Sequence, residues 1–217
     1  FPKTKLLCLE NTHNFCYGSP IEKNYFKEVK KILNTNKINL HIDGARIFNA
    51  SIALKTSVAE LTSTADSVSC CLSKGLSAPI GSLVIGTKQF IHQAKKIRKA
   101  LGGGMRQAGI IASAGLYSFD NMIDRLEEDH ESAQILAEKL SNIQNIYVDL
   151  DLVKTNIIFI YLKYDKLSDE NFLFQLKQNN IKIDYKGNRK FRLVTHHNFK
   201  KNEIDTVVSA ISNILKG

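Results

Sequence analysis

Short apolar runs and a helical pattern alternate along the first third of the chain. TKLLCL (4–9), INLHI (38–42) and ADSVSCCL (65–72) have the length and composition of buried strands. Between the first two runs, apolar side chains recur at helical spacing: Ile21, Tyr25, Val29 and Ile32. This spacing predicts a helix over residues 21–35. A strand, a helix and a strand at these intervals predict a βαβ unit with parallel strands.

The middle of the chain is predicted to form a further strand followed by helices. GSLVIG (81–86) predicts the strand, and the apolar residues of 87–101 fall on one helical face. Three consecutive glycines at 102–104 should end that helix, because glycine costs about 1 kcal/mol relative to alanine in a helix interior. The helical pattern resumes over 105–143, which is too long for one ordinary globular helix, so a break is expected near 120–121.

The sequence pattern changes beyond Asn142. Short strand-like runs alternate there with helical patterns, ending in the amphipathic stretch EIDTVVSAISNIL (203–215). We therefore predict an α/β protein with two domains. Residues 1–142 should form a large domain with a mostly parallel sheet and the helix leading out of it, and residues 143–217 a small α+β domain.

Composition and charge narrow the possible partners. The formal net charge is +9, but only six of the 30 basic residues are arginines and the lysines are spread evenly, so we expect a solvated surface and no nucleic-acid partner. No apolar run has the roughly 18 residues that a membrane helix needs, so no membrane association is expected. Four cysteines without metal-binding spacing indicate reduced thiols, a cytoplasmic location and no metal site. The chain begins without Met in a strand-like segment at Phe1, so we expect the C-terminal part of a longer protein.

Two charged residues follow predicted strands. Asp43 ends the second strand, in HIDGAR, and Lys74 follows the third, in SCCLSKGL. Ligands of α/β proteins gather outside the carboxyl ends of parallel strands, so both residues should lie in one site. Taken alone, each has an ordinary structural explanation, as a turn residue and as a surface lysine.

The order of several motifs carries more information than either residue. HIDGARIFNA (41–50), SCCLSKGLSAPIGSLVIG (69–86) and RKALGGGMRQAG (98–109) occur in the order and spacing of the low-specificity L-threonine aldolases, which the sequence resembles. The resemblance extends through LCLENTHN (7–14) and FRLVTHHN (191–198) and covers essentially the whole chain. It implies an aspartate-aminotransferase-like fold and a pyridoxal-phosphate enzyme. The implied reaction cleaves L-threonine or L-allo-threonine to glycine and an aldehyde in a homodimer or homotetramer.

The resemblance also assigns roles to individual residues. Lys74 matches the lysine that binds the aldehyde of pyridoxal phosphate, and Asp43 matches the acid that pairs with the pyridine nitrogen. Arg46 matches an arginine near the phenolic oxygen of the cofactor and the substrate carboxylate. Arg192 matches the arginine that binds the α-carboxylate, which a planar guanidinium can hold with two parallel hydrogen bonds.

Three further residues complete the candidate site. Arg106 resembles an arginine that reaches the cofactor phosphate, in a neighbouring subunit, with Lys99 near it. His13 follows the first strand and is the candidate for the base that removes the β-hydroxyl proton. His92 and His130 lie on predicted helices and are expected at the surface.

The match begins part-way through the family pattern and leaves alternatives open. The glycine–threonine phosphate loop, the histidine stacked on the cofactor ring and a substrate-binding serine precede the region that this chain matches. If the 217 residues were the whole molecule, we would expect weak or absent catalysis and an exposed, aggregation-prone sheet edge. The other candidates are a related pyridoxal-phosphate enzyme (a β-eliminating lyase, aminotransferase or racemase), a truncated non-catalytic fragment, and a basic domain that binds polyanions.

Overall fold

The computed structural model describes residues 2–216; Phe1, where the expected truncation falls, and Gly217 lie outside that range. The strands are β1 (Leu6–Glu10), β2 (Asn39–Asp43), β3 (Ser67–Cys71), β4 (Ser82–Gly86), β5 (Ile146–Val148), β6 (Ile157–Leu162), β7 (Asp184–Tyr185) and β8 (Lys190–Val194). The helices are α1 (Lys23–Asn36), α2 (Ile47–Leu54), α3 (Val58–Thr62), α4 (Lys88–Ala100), α5 (Gly109–Asn121), α6 (Leu126–Ser141), α7 (Asp169–Gln178) and α8 (Ile204–Lys216). The helix end expected at the glycine run and the break expected near residue 120 are both present, since α4 ends at Ala100 and α5 ends at Asn121.

The chain folds into two compact units. The first unit runs to His13 and continues over Pro20–Leu126, and the second contains Asn14–Ser19 and the chain from Glu127 onward. The predicted boundary at residue 142 leaves α6 with the first domain, whereas its apolar side chains pack in the core of the second unit.

The first unit is built on a four-stranded sheet of order β1-β2-β3-β4. β1, β2 and β3 are parallel, and β4 is antiparallel to β3. One face of the sheet packs on α1, through Leu40 and Ile42 of β2 against Phe26 and Leu33 of the helix. The other face of β2 presents His41 and Asp43, because successive side chains of a strand point to opposite sides.

The packing of α1 differs from the sequence prediction. Phe26 and Leu33 are buried, whereas Tyr25 and Ile32 of the predicted apolar stripe are 53% and 65% exposed. Ile21 and Val29 of the predicted stripe do pack against this core. The pattern therefore located the helix and two of the four side chains on its buried side. Lys37 then ends the helix in the left-handed conformation, at φ 54°, and its amide donates to the carbonyls of Leu33 and Asn34.

The second unit has an antiparallel sheet of order β5-β6-β8-β7. One face of this sheet packs against α6, α7 and α8 in the largest core of the described chain. Ile158 and Ile160 of β6 meet Phe172 of α7 and Ile211 of α8 there, all fully buried. His130 of α6, expected at the surface, is only 7% exposed, so that prediction was wrong.

Strand β4 is an exposed edge of the first sheet. All five of its residues are exposed, including Leu83, Val84 and Ile85, and it pairs only with β3 among the described residues. An apolar edge strand offers unpaired backbone groups to other chains and favours aggregation. Val84→Lys should therefore reduce aggregation, measured by light scattering at increasing protein concentration. Ile110→Lys, at an exposed apolar position on α5, is the matched control; an equal effect there would mean that the strand edge is not the cause.

Candidate active site

Polar residues meet at the carboxyl ends of the three parallel strands. The strand register aligns Glu10 of β1, Asp43 of β2 and Ser69 of β3 in one row. His13 follows β1 by three residues, and Lys74 follows β3 by three residues. The structure therefore places Asp43 at, and His13 and Lys74 just after, the carboxyl ends of neighbouring strands, on one edge of the sheet.

The Asp43 carboxylate is held by two hydrogen bonds. Its Oδ1 accepts hydrogen bonds from the Ala45 backbone N–H at 3.0 Å and from the Ser69 hydroxyl at 3.3 Å. The Gly44 N–H donates to the Ser69 carbonyl at 2.9 Å, and a Cβ at residue 44 would lie 2.8 Å from that oxygen. A side chain at Gly44 would therefore push β2 and β3 apart. Arg46 is the N-cap residue of α2, three residues beyond Asp43.

Lys74 lies in a tight loop after β3 and its side chain is exposed. The Ser77 N–H donates to the Lys74 carbonyl at 2.9 Å, which fixes the turn. Burial of the Cys71 thiol opposes its ionisation, but hydrogen bonds with Ser73 and the positive charge of Lys74 outweigh burial and lower the pKa of Cys71. The ammonium group of Lys74 is therefore close to the carboxyl end of β3.

His13 lies beside the carboxylate of Glu10, the last residue of β1. Its Nε2 lies 3.4 Å from Oε2 of Glu10. A carboxylate at this distance from a ring nitrogen orients the imidazole.

Lys99 and Arg106 come later in the chain than the strands that end at this edge. Lys99 is on the last turn of α4, Arg106 lies in the turn before α5, and both side chains are exposed. No contact in the described chain joins either of them to Asp43 or Lys74, so their predicted phosphate role stays a prediction.

Arg192 belongs to the second unit and is already paired within it. One terminal nitrogen, Nη1, donates to Oδ1 of Asn14, and the other, Nη2, donates to Oδ2 of Asp184. The side chain is 19% exposed. Its predicted role in binding a carboxylate is likewise untested.

The sequence prediction missed the partners of these residues. Glu10 could have been found by aligning the ends of the predicted parallel strands, because it shares a row with Asp43. Ser69 lies two residues before the end of β3 and could be found only from the register. Asn14 and Asp184 gave no such signal. Asn14 is 178 positions from Arg192, and Asp184 lies in a strand of only two residues.

Comparison with known proteins identifies the family. The sequence model of the beta-eliminating lyases matches residues 1–164. The chain belongs to the beta-eliminating lyase family. This lyase-family chain is 39% identical over 216 residues to low-specificity L-threonine aldolase 1 of Arabidopsis thaliana, covering 99% of the chain and 60% of that relative. It is also 39% identical over 212 residues to the low specificity L-threonine aldolase of Escherichia coli strain K12, covering 96% of the chain and 60% of the relative. The chain thus spans about 60% of the length of these curated relatives.

Solved structures share the fold of this family member. The threonine aldolase of Leishmania major has a TM-score of 0.75 at 17% identity and covers 97% of this chain, which spans 61% of that protein. A PLP-dependent aminotransferase from Streptococcus suis also has a TM-score of 0.75 at 17% identity, with 98% of this chain and 57% of that protein covered. The predicted α/β, aspartate-aminotransferase-like fold is confirmed.

Proposed function

We propose that this family member is a pyridoxal-phosphate-dependent aldehyde-lyase that cleaves L-threonine and L-allo-threonine into glycine and acetaldehyde. The proposal rests above all on a fixed carboxylate, Asp43, and an exposed lysine, Lys74, at the ends of neighbouring parallel strands. The 39% identity to relatives named low-specificity L-threonine aldolases supports this reaction.

The described residues fit the cofactor. Asp43 is a carboxylate held in place by two hydrogen bonds, which suits it to pair with a protonated ring nitrogen. Lys74 offers an exposed amine at the end of the next strand and would bind the cofactor aldehyde. When bound, pyridoxal phosphate withdraws electrons from the bonds at the α-carbon of an amino acid. We assign the phosphate to Arg106 and Lys99 of a neighbouring subunit, which requires a homodimer or homotetramer.

The arginines and the histidine act on the substrate in this proposal. Arg46 and Arg192 bind the α-carboxylate, which fixes the orientation of the bond to be broken. His13 takes the proton from the β-hydroxyl group as the Cα–Cβ bond breaks. Glu10, whose Oε2 is 3.4 Å from Nε2 of His13, orients the imidazole ring.

We also propose a cytoplasmic location, which the reduced cysteines support. All four cysteines, at positions 8, 16, 70 and 71, are free thiols in the structure. Within residues 2–216, no helix is long and apolar enough to cross a membrane.

Product analysis with a single substrate distinguishes the candidate reactions. The chain should convert L-threonine with added pyridoxal phosphate into equal amounts of glycine and acetaldehyde, quantified by chromatography. β-Elimination of the same substrate would release 2-oxobutanoate and ammonia, and transamination would need a 2-oxo acid acceptor. Release of 2-oxobutanoate without glycine would contradict the proposal. The reaction without added cofactor is the control.

A further inference from the structure

A short segment that follows the first strand packs on the second unit. We call this segment, Asn14–Ser19, the strap. It contacts the sheet face opposite to the core, which carries Phe159 and Tyr161 of β6 and Lys190 and Arg192 of β8. The strap and Arg192 therefore share one face of this sheet.

Aromatic and charged groups anchor the strap at Tyr17. The Tyr17 and Tyr161 hydroxyls are 2.6 Å apart and hydrogen-bonded. The Lys190 ammonium lies 4.5 Å from the Tyr17 ring centroid and 4.2 Å from that of Phe159, a cation–π arrangement. Lys190 Nζ also donates to the Tyr17 hydroxyl at 3.4 Å. The position of the strap, and of Asn14 at its start, is fixed by these contacts.

A close backbone approach adds a second anchor. The Thr155 hydroxyl donates to the Gly18 carbonyl at 3.0 Å. Gly18 has φ +67°, and a Cβ there would lie 2.7 Å from the Thr155 oxygen. Only glycine fits this conformation at this distance.

The guanidinium of Arg192 is held between the strap and the neighbouring strand. Nη1 donates to Asn14 of the strap, and Nη2 donates to Asp184, which lies directly opposite Arg192 in the register of β7 and β8. Lys186 Nζ lies 2.8 Å from the same oxygen of Asp184. Nε of Arg192 is buried and has no hydrogen-bond partner among the described residues. Asn14 and Asp184 therefore determine the orientation of the guanidinium plane.

We propose that Asn14 and Asp184 are positioning residues that hold Arg192 ready for the α-carboxylate of the amino-acid substrate. This inference rests on the proposed function of Arg192. Each terminal nitrogen of a guanidinium carries two N–H groups, so each keeps one for a carboxylate oxygen after donating to Asn14 or Asp184. A preoriented guanidinium loses less conformational entropy on binding than a free one.

Asp184 has an alternative role that predicts the opposite result. Its carboxylate could compete with the substrate for Arg192. The hydrogen bond from Lys186 outweighs burial and, with the charge of Arg192, lowers the pKa of Asp184, so the residue is ionised at neutral pH. As a competitor, Asp184 would weaken substrate binding, and its neutralisation would lower KM. As a positioning residue, its removal raises KM.

The orientation of Arg192 can be measured without cofactor or turnover. Nitrogen-15 NMR of the arginine side chains should give resolved, slowly rotating Nη signals for Arg192 in the wild-type chain, assigned by their loss in Arg192→Lys. In Asn14→Ala and in Asp184→Ala, the Nη groups of Arg192 should rotate fast. The chemical-shift change of Arg192 on titration with glycine should also be smaller than in the wild-type chain. Asn213→Ala, at an exposed site on α8, should change neither. Unchanged Arg192 signals in Asn14→Ala and Asp184→Ala would overturn the inference, whatever the activity.

Steady-state kinetics supply the second readout. Asn14→Ala and Asp184→Ala should each raise KM for L-threonine about tenfold, the effect of losing one charge-assisted hydrogen bond, with little change in kcat. Asp184→Asn keeps an oxygen acceptor and should restore KM close to the wild-type value. A lower KM in Asp184→Asn would establish competition instead of positioning. If wild-type chain converts threonine to 2-oxobutanoate without glycine but the NMR result holds, the proposed function fails and the role of Asn14 and Asp184 in orienting Arg192 stands.

Discussion

Replacing Lys74 with alanine should abolish both cofactor attachment and threonine cleavage. In the proposed function this residue supplies the amine that binds the cofactor aldehyde, and a positioned amine also serves proton transfer. We expect kcat to fall by about a thousandfold or more, the upper range for a group that takes part in proton transfer. The fold should persist, because Lys74 is exposed and its backbone, not its side chain, fixes the loop.

The visible spectrum separates this effect from general damage. Wild-type chain mixed with pyridoxal phosphate should develop the absorption band of the covalently bound cofactor, and Lys74→Ala should not. Lys88→Ala, at an exposed position on α4, is the matched control and should behave as wild type. If the band survived in Lys74→Ala and disappeared in Lys88→Ala, the assignment of the lysine would be wrong.

Acid should destabilise the protein through His130. Burial lowers the pKa of this histidine from 6.5 to about 4. Between these two values the unfolded chain binds a proton that the folded chain does not, so stability decreases as the pH falls through this window and the loss levels off below about pH 4. The difference between the two pKa values corresponds to a loss of about 3 kcal/mol.

Urea unfolding at pH 7 to pH 4, followed by circular dichroism, measures this loss. His130→Leu removes the titrating group and keeps an apolar side chain at the buried position. The free energy of unfolding of wild-type chain should fall by about 3 kcal/mol more than that of His130→Leu across this range. Carboxylates titrate equally in both proteins and cancel in the comparison. Parallel curves for the two proteins would mean that His130 is protonated in the folded state.

Local pattern identified most of the elements but not the way they pack. The apolar runs at 38–42 and 65–72 became parallel strands because their spacing left room for a crossover helix. The burial of Phe26 instead of Tyr25 in α1 was not predictable, since both are apolar and only the tertiary partner decides between them. Similarly, nothing within α6 indicated that His130 would be buried.

The residues of the candidate site also differ in how far the sequence could predict them. Asp43 and Lys74 could be placed together from the sequence, because the ends of parallel strands share one sheet edge. Ser69 depended on the register of β2 and β3, which short apolar runs do not specify. The role of Asn14 was not predictable, because Asn14 contacts Arg192 from 178 positions away and no local sequence pattern reports such a contact.

The strap makes the second unit impossible to excise as one contiguous piece of gene. A fragment that started at residue 127 would keep every strand of the antiparallel sheet, yet it would leave the Tyr161 hydroxyl and the Nη1 of Arg192 without the groups that cover them in the intact chain. A fusion that joined residues 14–19 through a linker to such a fragment would restore them. Dissection of this protein into independently folding modules therefore has to follow spatial neighbours instead of sequence order.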